Sequence, residues 1–227
     1  MTTGLRDTAL NIVNRVRRKL GYNAVTDFSS KNARMLLEML NEVVSEVSDE
    51  GDWPEMYREV FVTASSSVGE YEVRVSGLVQ SVYEIGFQNQ IAALEPRDIK
   101  DLRLWQRLGN TGEPRQFAIV GVNASSGNPL FRVHPIPGSS QAGETFDVAY
   151  YQKPEALTTA QGGVTVPFPS ELLFKGLYAK ALLEENGGER STEYQTAYTE
   201  YIRDRRETLR RFTADTGSDI YIIPRFR

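Results

Sequence analysis

The chain of 227 residues contains no cysteine and a single histidine, His134. The first absence excludes disulfides, thiolate nucleophiles and cysteine-ligated zinc. The second leaves no relay and no multi-histidine metal site, because acid–base work needs positioned partners. No apolar run approaches the length of a membrane span, and Met1-Thr2-Thr3-Gly4 opens no signal-peptide pattern, so no membrane partner is expected. The chain is expected to work where it is made, or in a particle assembled there. Strong positive charge is also missing: the formal net charge is −4, which gives no bulk attraction to nucleic acid. No phosphate loop, dinucleotide fingerprint, His-Glu-x-x-His or EF-hand pattern occurs. Nor is there a Gly-x-Ser-x-Gly elbow. Internal repeats and low-complexity tracts are absent. No catalytic group, cofactor or metal is therefore expected.

What is present is an ordinary globular composition, 40% hydrophobic and 25% charged, at a length that can bury a real core. Residues 115–157 read as three short strands, 116–120, 130–134 and 145–151. They are rich in β-branched and aromatic residues, with Asn128-Pro129 and Pro135-Ile136-Pro137-Gly138 as punctuation. Such a meander protects one face only, and the amphipathic helices before and after it in sequence are its natural cover.

In order, a helix is predicted over about 5–20, with Leu5, Ala9, Ile12, Val13, Val16 and Leu20 on one face and Gly21 as its stop. The cations Arg15, Arg17, Arg18 and Lys19 near its end suit the helix dipole. Ser29 or Ser30 caps a second helix with the stripe Ala33, Leu36, Leu37, Leu40, Val43, Val44 and Val47. Trp53 follows as a corner residue packing this helical hairpin onto the sheet. Residues 59–64 and 70–75 alternate around a serine-rich turn and read as a β-hairpin, and 78–87 as another strand. Pro96 opens a short helix carrying Ile99, Leu102, Trp105 and Leu108, closed by Gly109. Past the meander, a helix with Leu173, Phe174, Leu177, Tyr178, Ala181 and Leu182 inward ends at Gly187-Gly188. The last helix, about 191–213, carries Tyr194, Tyr198, Tyr201, Ile202, Leu209 and Phe212 along one broad face.

This layout predicts an α+β fold. A helical hairpin over 1–55 and a helix pair over 165–214 form one helical subdomain. Between them lies a mostly antiparallel β region over 56–164 with one embedded short helix, and an extended tail over 215–227 follows.

Few residues suggest chemistry. Asp215-Thr216-Gly217 matches the tripeptide of aspartic proteases, but that site needs a preceding apolar strand and a second carboxylate. Here the tripeptide follows an amphipathic helix and reads as its stop. His134 reads as a packed or rim residue. Glu184-Glu185 and Glu42/Glu46 read as solvated helix faces. The run Arg203, Arg205, Arg206, Arg210 and Arg211 has two readings, a basic helix end or an interface, since arginine keeps its charge and pairs bidentately when partly desolvated. The apolar end, Ile220, Tyr221, Ile222, Ile223, Pro224, Arg225, Phe226 and Arg227, must dock either on its own sheet or on another chain. Burying its large side chains gains about what ordering the segment costs, so one such tail binds weakly. Many tails presented together bind firmly through effective concentration. Arg203, Arg206 and Arg210 together with this tail, Pro224 excepted, are the expected interface residues.

One family fits these elements. Gly112-Glu113-Pro114, then Phe117-Ala118-Ile119-Val120-Gly121, Arg132-Val133-His134-Pro135-Ile136-Pro137 and Tyr150-Tyr151 with Pro154 and Leu157 resemble head-to-tail adaptor (connector) proteins of tailed bacteriophages, of the tail tubular protein A-like kind. The resemblance implies a structural virion protein at the portal vertex, assembled in the host cytoplasm as a homo-oligomeric ring of twelve copies. It further implies the portal protein and a tail tube or nozzle protein as partners, and related adaptors grip the portal with C-terminal extensions. DNA would pass through the lumen without sequence-specific binding. A neck or stopper protein that joins a preformed adaptor is the alternative, and an aspartic-type hydrolase using Asp215 the remaining one.

Overall fold

The computed structural model describes residues 6–88, 90–106 and 109–215. Its elements begin with α1 (Ala9–Lys19), α2 (Lys31–Asp49), β1 (Tyr57–Thr63), β2 (Glu70–Glu72), β3 (Val79–Phe87) and β4 (Glu95–Pro96). They continue with α3 (Ile99–Gln106), β5 (Gln116–Val122), β6 (Pro129–His134), β7 (Thr145–Gln152), α4 (Ser170–Glu185) and α5 (Thr192–Asp215). This is an α+β fold with helices at both ends and strands in the middle, all but one strand pairing antiparallel. The chain divides into two compact units, one built from residues up to Glu55 and from Pro154 onward, the other from Met56–Lys153.

In the helical unit, α1 buries Ala9, Ile12, Val13 and Val16, the stripe that its periodicity predicts. It starts at Ala9 rather than near residue 5, because Thr8 is extended and pairs with Thr165, while its hydroxyl accepts the Asn11 amide. Gly21, at φ 83°, ends the helix. Ser30 caps α2, whose whole expected stripe is buried. Helix α4 contacts α1, α2 and α5 and is buried on more than one side. Leu173, Leu177, Tyr178, Ala181 and Leu182 are buried as expected, and so are Leu172, Gly176 and Ala179. A helix that is apolar nearly all round belongs in an interior.

Gly176 is where α2 and α5 close on α4. A Cβ there would lie 2.7 Å from Val43 Cγ1 and 2.8 Å from Tyr201 Cε2. Helix propensity alone favours Gly176→Ala by about 1 kcal/mol, but overpacking costs about 1–3 kcal/mol. Net destabilisation is expected on urea unfolding, and a more stable variant would contradict this packing.

Helix α5 departs from its expected broad apolar face. Among its described side chains only Tyr201 is buried; Tyr194, Ile202 and Leu209 are half-buried and Tyr198 is exposed. One packed edge against α4 suffices for a helix whose other sides carry polar residues. Trp53 is buried, donates from Nε1 to the Val47 carbonyl at 2.8 Å and meets Phe168 edge to face at 5.1 Å. Both of these partners belong to the helical unit.

The β unit has two sheets, ordered β1–β7–β3 and β2–β6–β5–β4. Two expectations fail here. β1 and β2 do not form a hairpin: β1 pairs with β7 and β2 with β6. The turn between them wraps the Tyr71 hydroxyl, which donates to the Val68 carbonyl (2.8 Å), lies 3.1 Å from the Ser65 carbonyl and accepts the Ser65 amide (3.2 Å). That arrangement carries the chain from one sheet to the other. Nor is 115–157 a three-strand meander, since β5 and β6 pair while β7 becomes the centre of the other sheet. The apolar faces of the two sheets cover each other. Val82, Ile85, Phe87, Phe146 and Val148 from one sheet share a core with Tyr71, Phe117, Phe131 and Val133 from the other. α3 lies against β5 and β6 and buries Leu102. It begins after Asp98, whose carboxylate accepts the Lys100 amide, while Pro96 belongs to β4.

Candidate interaction surfaces

The arginines of α5 do not act alike. Arg205 is turned inward: its guanidinium is 2.6 Å from Glu50, 4.0 Å from Glu46 and 5.2 Å from the centre of the Tyr201 ring. It fastens α5 to α2. Arg203, Arg206 and Arg210 are exposed, spaced to share one side of the helix. The side chain of Arg211 lies outside the described residues, as does all of 220–227, so Ile220, Tyr221, Ile222, Ile223, Arg225, Phe226 and Arg227 are not placed.

Glu42 and Glu46 are not simply solvated. Both sit 2.8 Å from the Lys180 ammonium, which bridges α4 to α2. Burial disfavours that charge, but the hydrogen bonds it donates to the two carboxylates, together with their charges, outweigh it and hold the Lys180 pKa above its ordinary value. Lys175 pairs with Asp204 at 2.5 Å between α4 and α5, and its hydrogen bond keeps the Asp204 carboxyl below its usual range.

A depressed folded-state value contributes stability above the unfolded carboxyl's range, and that stability is lost as pH falls through the folded value. Asp204→Asn is therefore expected to lower neutral-pH stability by up to about 1 kcal/mol. The difference should vanish as the medium is acidified through and below the usual aspartate range. Urea unfolding across that range reads it, and a gap persisting in acid would contradict the pairing.

A second surface, which the sequence reading missed, lies on the solvent side of the β1–β7–β3 sheet. Tyr57, Phe61 and Tyr83 are exposed there, Phe61 by 67%. Tyr151 sits between two of them, edge to face with Tyr57 at 6.0 Å and with Tyr83 at 6.1 Å. Exposed carboxylates of Glu59, Glu84 and Asp147 surround these rings. The Tyr57 hydroxyl donates to Glu59 at 2.6 Å, which pushes its pKa up. Partial burial, and then the charge of Glu59, raise Asp147. The readable signal was in Tyr57-Arg58-Glu59-Val60-Phe61-Val62. Val60 and Val62 face the core, so Phe61 and Tyr57 must face away from it.

Among the described residues, groups suited to bond-breaking are not brought together. Asp215 ends a helix rather than following a strand, contrary to what a protease dyad needs. His134 closes β6, and burial lowers its pKa. Among the described residues no group of three or more carboxylates and histidines is placed to hold a metal ion. Of the described helices, none is long and apolar enough to cross a membrane.

Among curated proteins, none matches the chain. The SU10 adaptor protein family, by contrast, matches residues 7–219, nearly the whole sequence. A match of that extent embraces both units and every element from α1 to α5. The chain belongs to the SU10 adaptor protein family, and so to the phage head-to-tail adaptors that its sequence resembles.

Proposed function

We propose that the chain is the ring-forming adaptor between the portal and the tail of a bacteriophage, acting through its surfaces and carrying no reacting groups. The observation that carries this reading is the family match over nearly all of the chain. Copies, twelve in the reading that the resemblance implies, close a ring around a channel. The helical unit, with Arg203, Arg206 and Arg210 exposed on α5, meets neighbouring copies and the portal protein, and the β unit faces the tail tube or nozzle protein. Genomic DNA moves through the lumen without sequence-specific contacts. The net charge of −4 supports sliding without adhesion, since phosphate binding demands a basic surface.

The C-terminal segment is the proposed portal grip. Deleting 220–227 is expected to abolish co-sedimentation with isolated portal while leaving the folded chain intact by circular dichroism. Undiminished portal binding would remove the tail from the mechanism. Electron microscopy of the portal vertex provides the wider test, since a vertex without a ring of this chain overturns the whole reading.

A further inference from the structure

The solvent face of the β1–β7–β3 sheet combines features that a free surface rarely holds together. Residues opposite one another in antiparallel strands point the same way. Tyr57 stands opposite Tyr151, Glu59 opposite Ala149 and Phe61 opposite Asp147. On the other flank Ser81 stands opposite Tyr151 and Glu84 opposite Ala149, and Tyr83, the extra residue where the register shifts between Val82 and Glu84, brings its ring to 6.1 Å from Tyr151. Four aromatic rings and three carboxylates therefore share one face. None of these carboxylates has an ion-pair partner among the described residues. Large exposed aromatic patches mark contact sites, and uncompensated acids beside tyrosines call for a planar cation. Arginine is that cation, since its guanidinium stacks on aromatic rings and forks onto carboxylates. A phosphate-bearing partner is repelled by the same acids.

The complement is present on the same polypeptide, on another element. Arg203, Arg206 and Arg210 stand exposed on one side of α5, with Glu207 at its border. Arg203 and Arg210 are separated by about 10 Å along the helix, from seven steps of 1.5 Å. Glu59 and Glu84 flank the central strand about 10 Å apart, two strand spacings. We propose that the aromatic and acidic sheet face of one copy receives the Arg203, Arg206 and Arg210 edge of α5 from the next copy. A patch that fits a different patch on an identical chain makes a heterologous contact, the kind that closes into rings. The inference rests on the self-assembly proposed above.

Two measurements on the full chain test it. A photoreactive p-benzoylphenylalanine at position 83 is expected to cross-link to residues 203–210 of a second copy. Glu59→Arg with Glu84→Arg, and separately Arg203→Glu with Arg206→Glu, are each expected to weaken self-association about 100-fold by sedimentation. Mixing the two variants is expected to restore it. Assembly with cross-links elsewhere, reversed variants that assemble normally, or no restoration on mixing would each overturn this contact and leave the ring standing. A wild-type chain that stays single and forms no cross-links between copies overturns both.

Discussion

Phe146→Ala should destabilise the β unit by about 3–5 kcal/mol, as truncation of a large buried ring does. Phe146 is fully buried on β7, the strand that both β1 and β3 use as their partner. Its ring lies 4.8 Å from Tyr71, 4.8 Å from Phe87 and 5.5 Å from Phe131. Phe87 belongs to its own sheet, whereas Tyr71 and Phe131 belong to the other, so the ring is a hinge pin between the two layers. Alanine removes contacts to both at once, and flanking strands paired along their length cannot collapse into the hole. Guanidinium unfolding followed by near-ultraviolet circular dichroism reads the loss. A cost below about 1 kcal/mol would mean that the two sheets do not share one core.

Trp53→Ala is expected to cost a similar amount, about 3–5 kcal/mol, in the helical unit. Two contributions separate by a second substitution. Trp53→Phe keeps a ring against Phe168 but loses the Nε1 hydrogen bond, leaving the Val47 carbonyl only the long 3.4 Å bond from the Glu50 amide. An unmade buried hydrogen bond costs about 1–3 kcal/mol. The phenylalanine variant should thus fall between wild type and alanine. Equal destabilisation by the two would assign the whole effect to the hydrogen bond.

Elements written in local code were readable from the sequence. The stripes and caps of α1 and α2 rest on neighbours within a few residues, and Ser30 and Gly21 act as read. The pairing of strands was not readable from neighbours. β7 takes its partners from Tyr57–Thr63 and Val79–Phe87, far back in the chain, and nothing within the strand names them. The expected hairpin failed for a definite reason, because alternation and a serine-rich turn cannot reveal that a tyrosine hydroxyl will fold the turn into a corner. Helix α4 shows the limit of stripe counting, since its second buried side contains a glycine and an alanine that carry little hydrophobic weight. Among the candidate interface residues, Arg203, Arg206 and Arg210 were legible as a basic run, but their separation from inward-turned Arg205 needed the position of Glu50. The aromatic sheet face went unread because tyrosines and phenylalanines in a strand are normally credited to the core.

The helical unit draws its members from opposite ends of the polypeptide, while the strands form an uninterrupted insertion between them. During translation the strand-bearing layer pair has all of its described strands once Lys153 has emerged, and it can begin to fold while the remainder is still being made. The nascent first two helices must wait, with their apolar stripes uncovered, until Ser170–Glu185 leaves the ribosome. A product cut short before that point lacks the helix on which α1 and α2 pack, and so has no completed helical body.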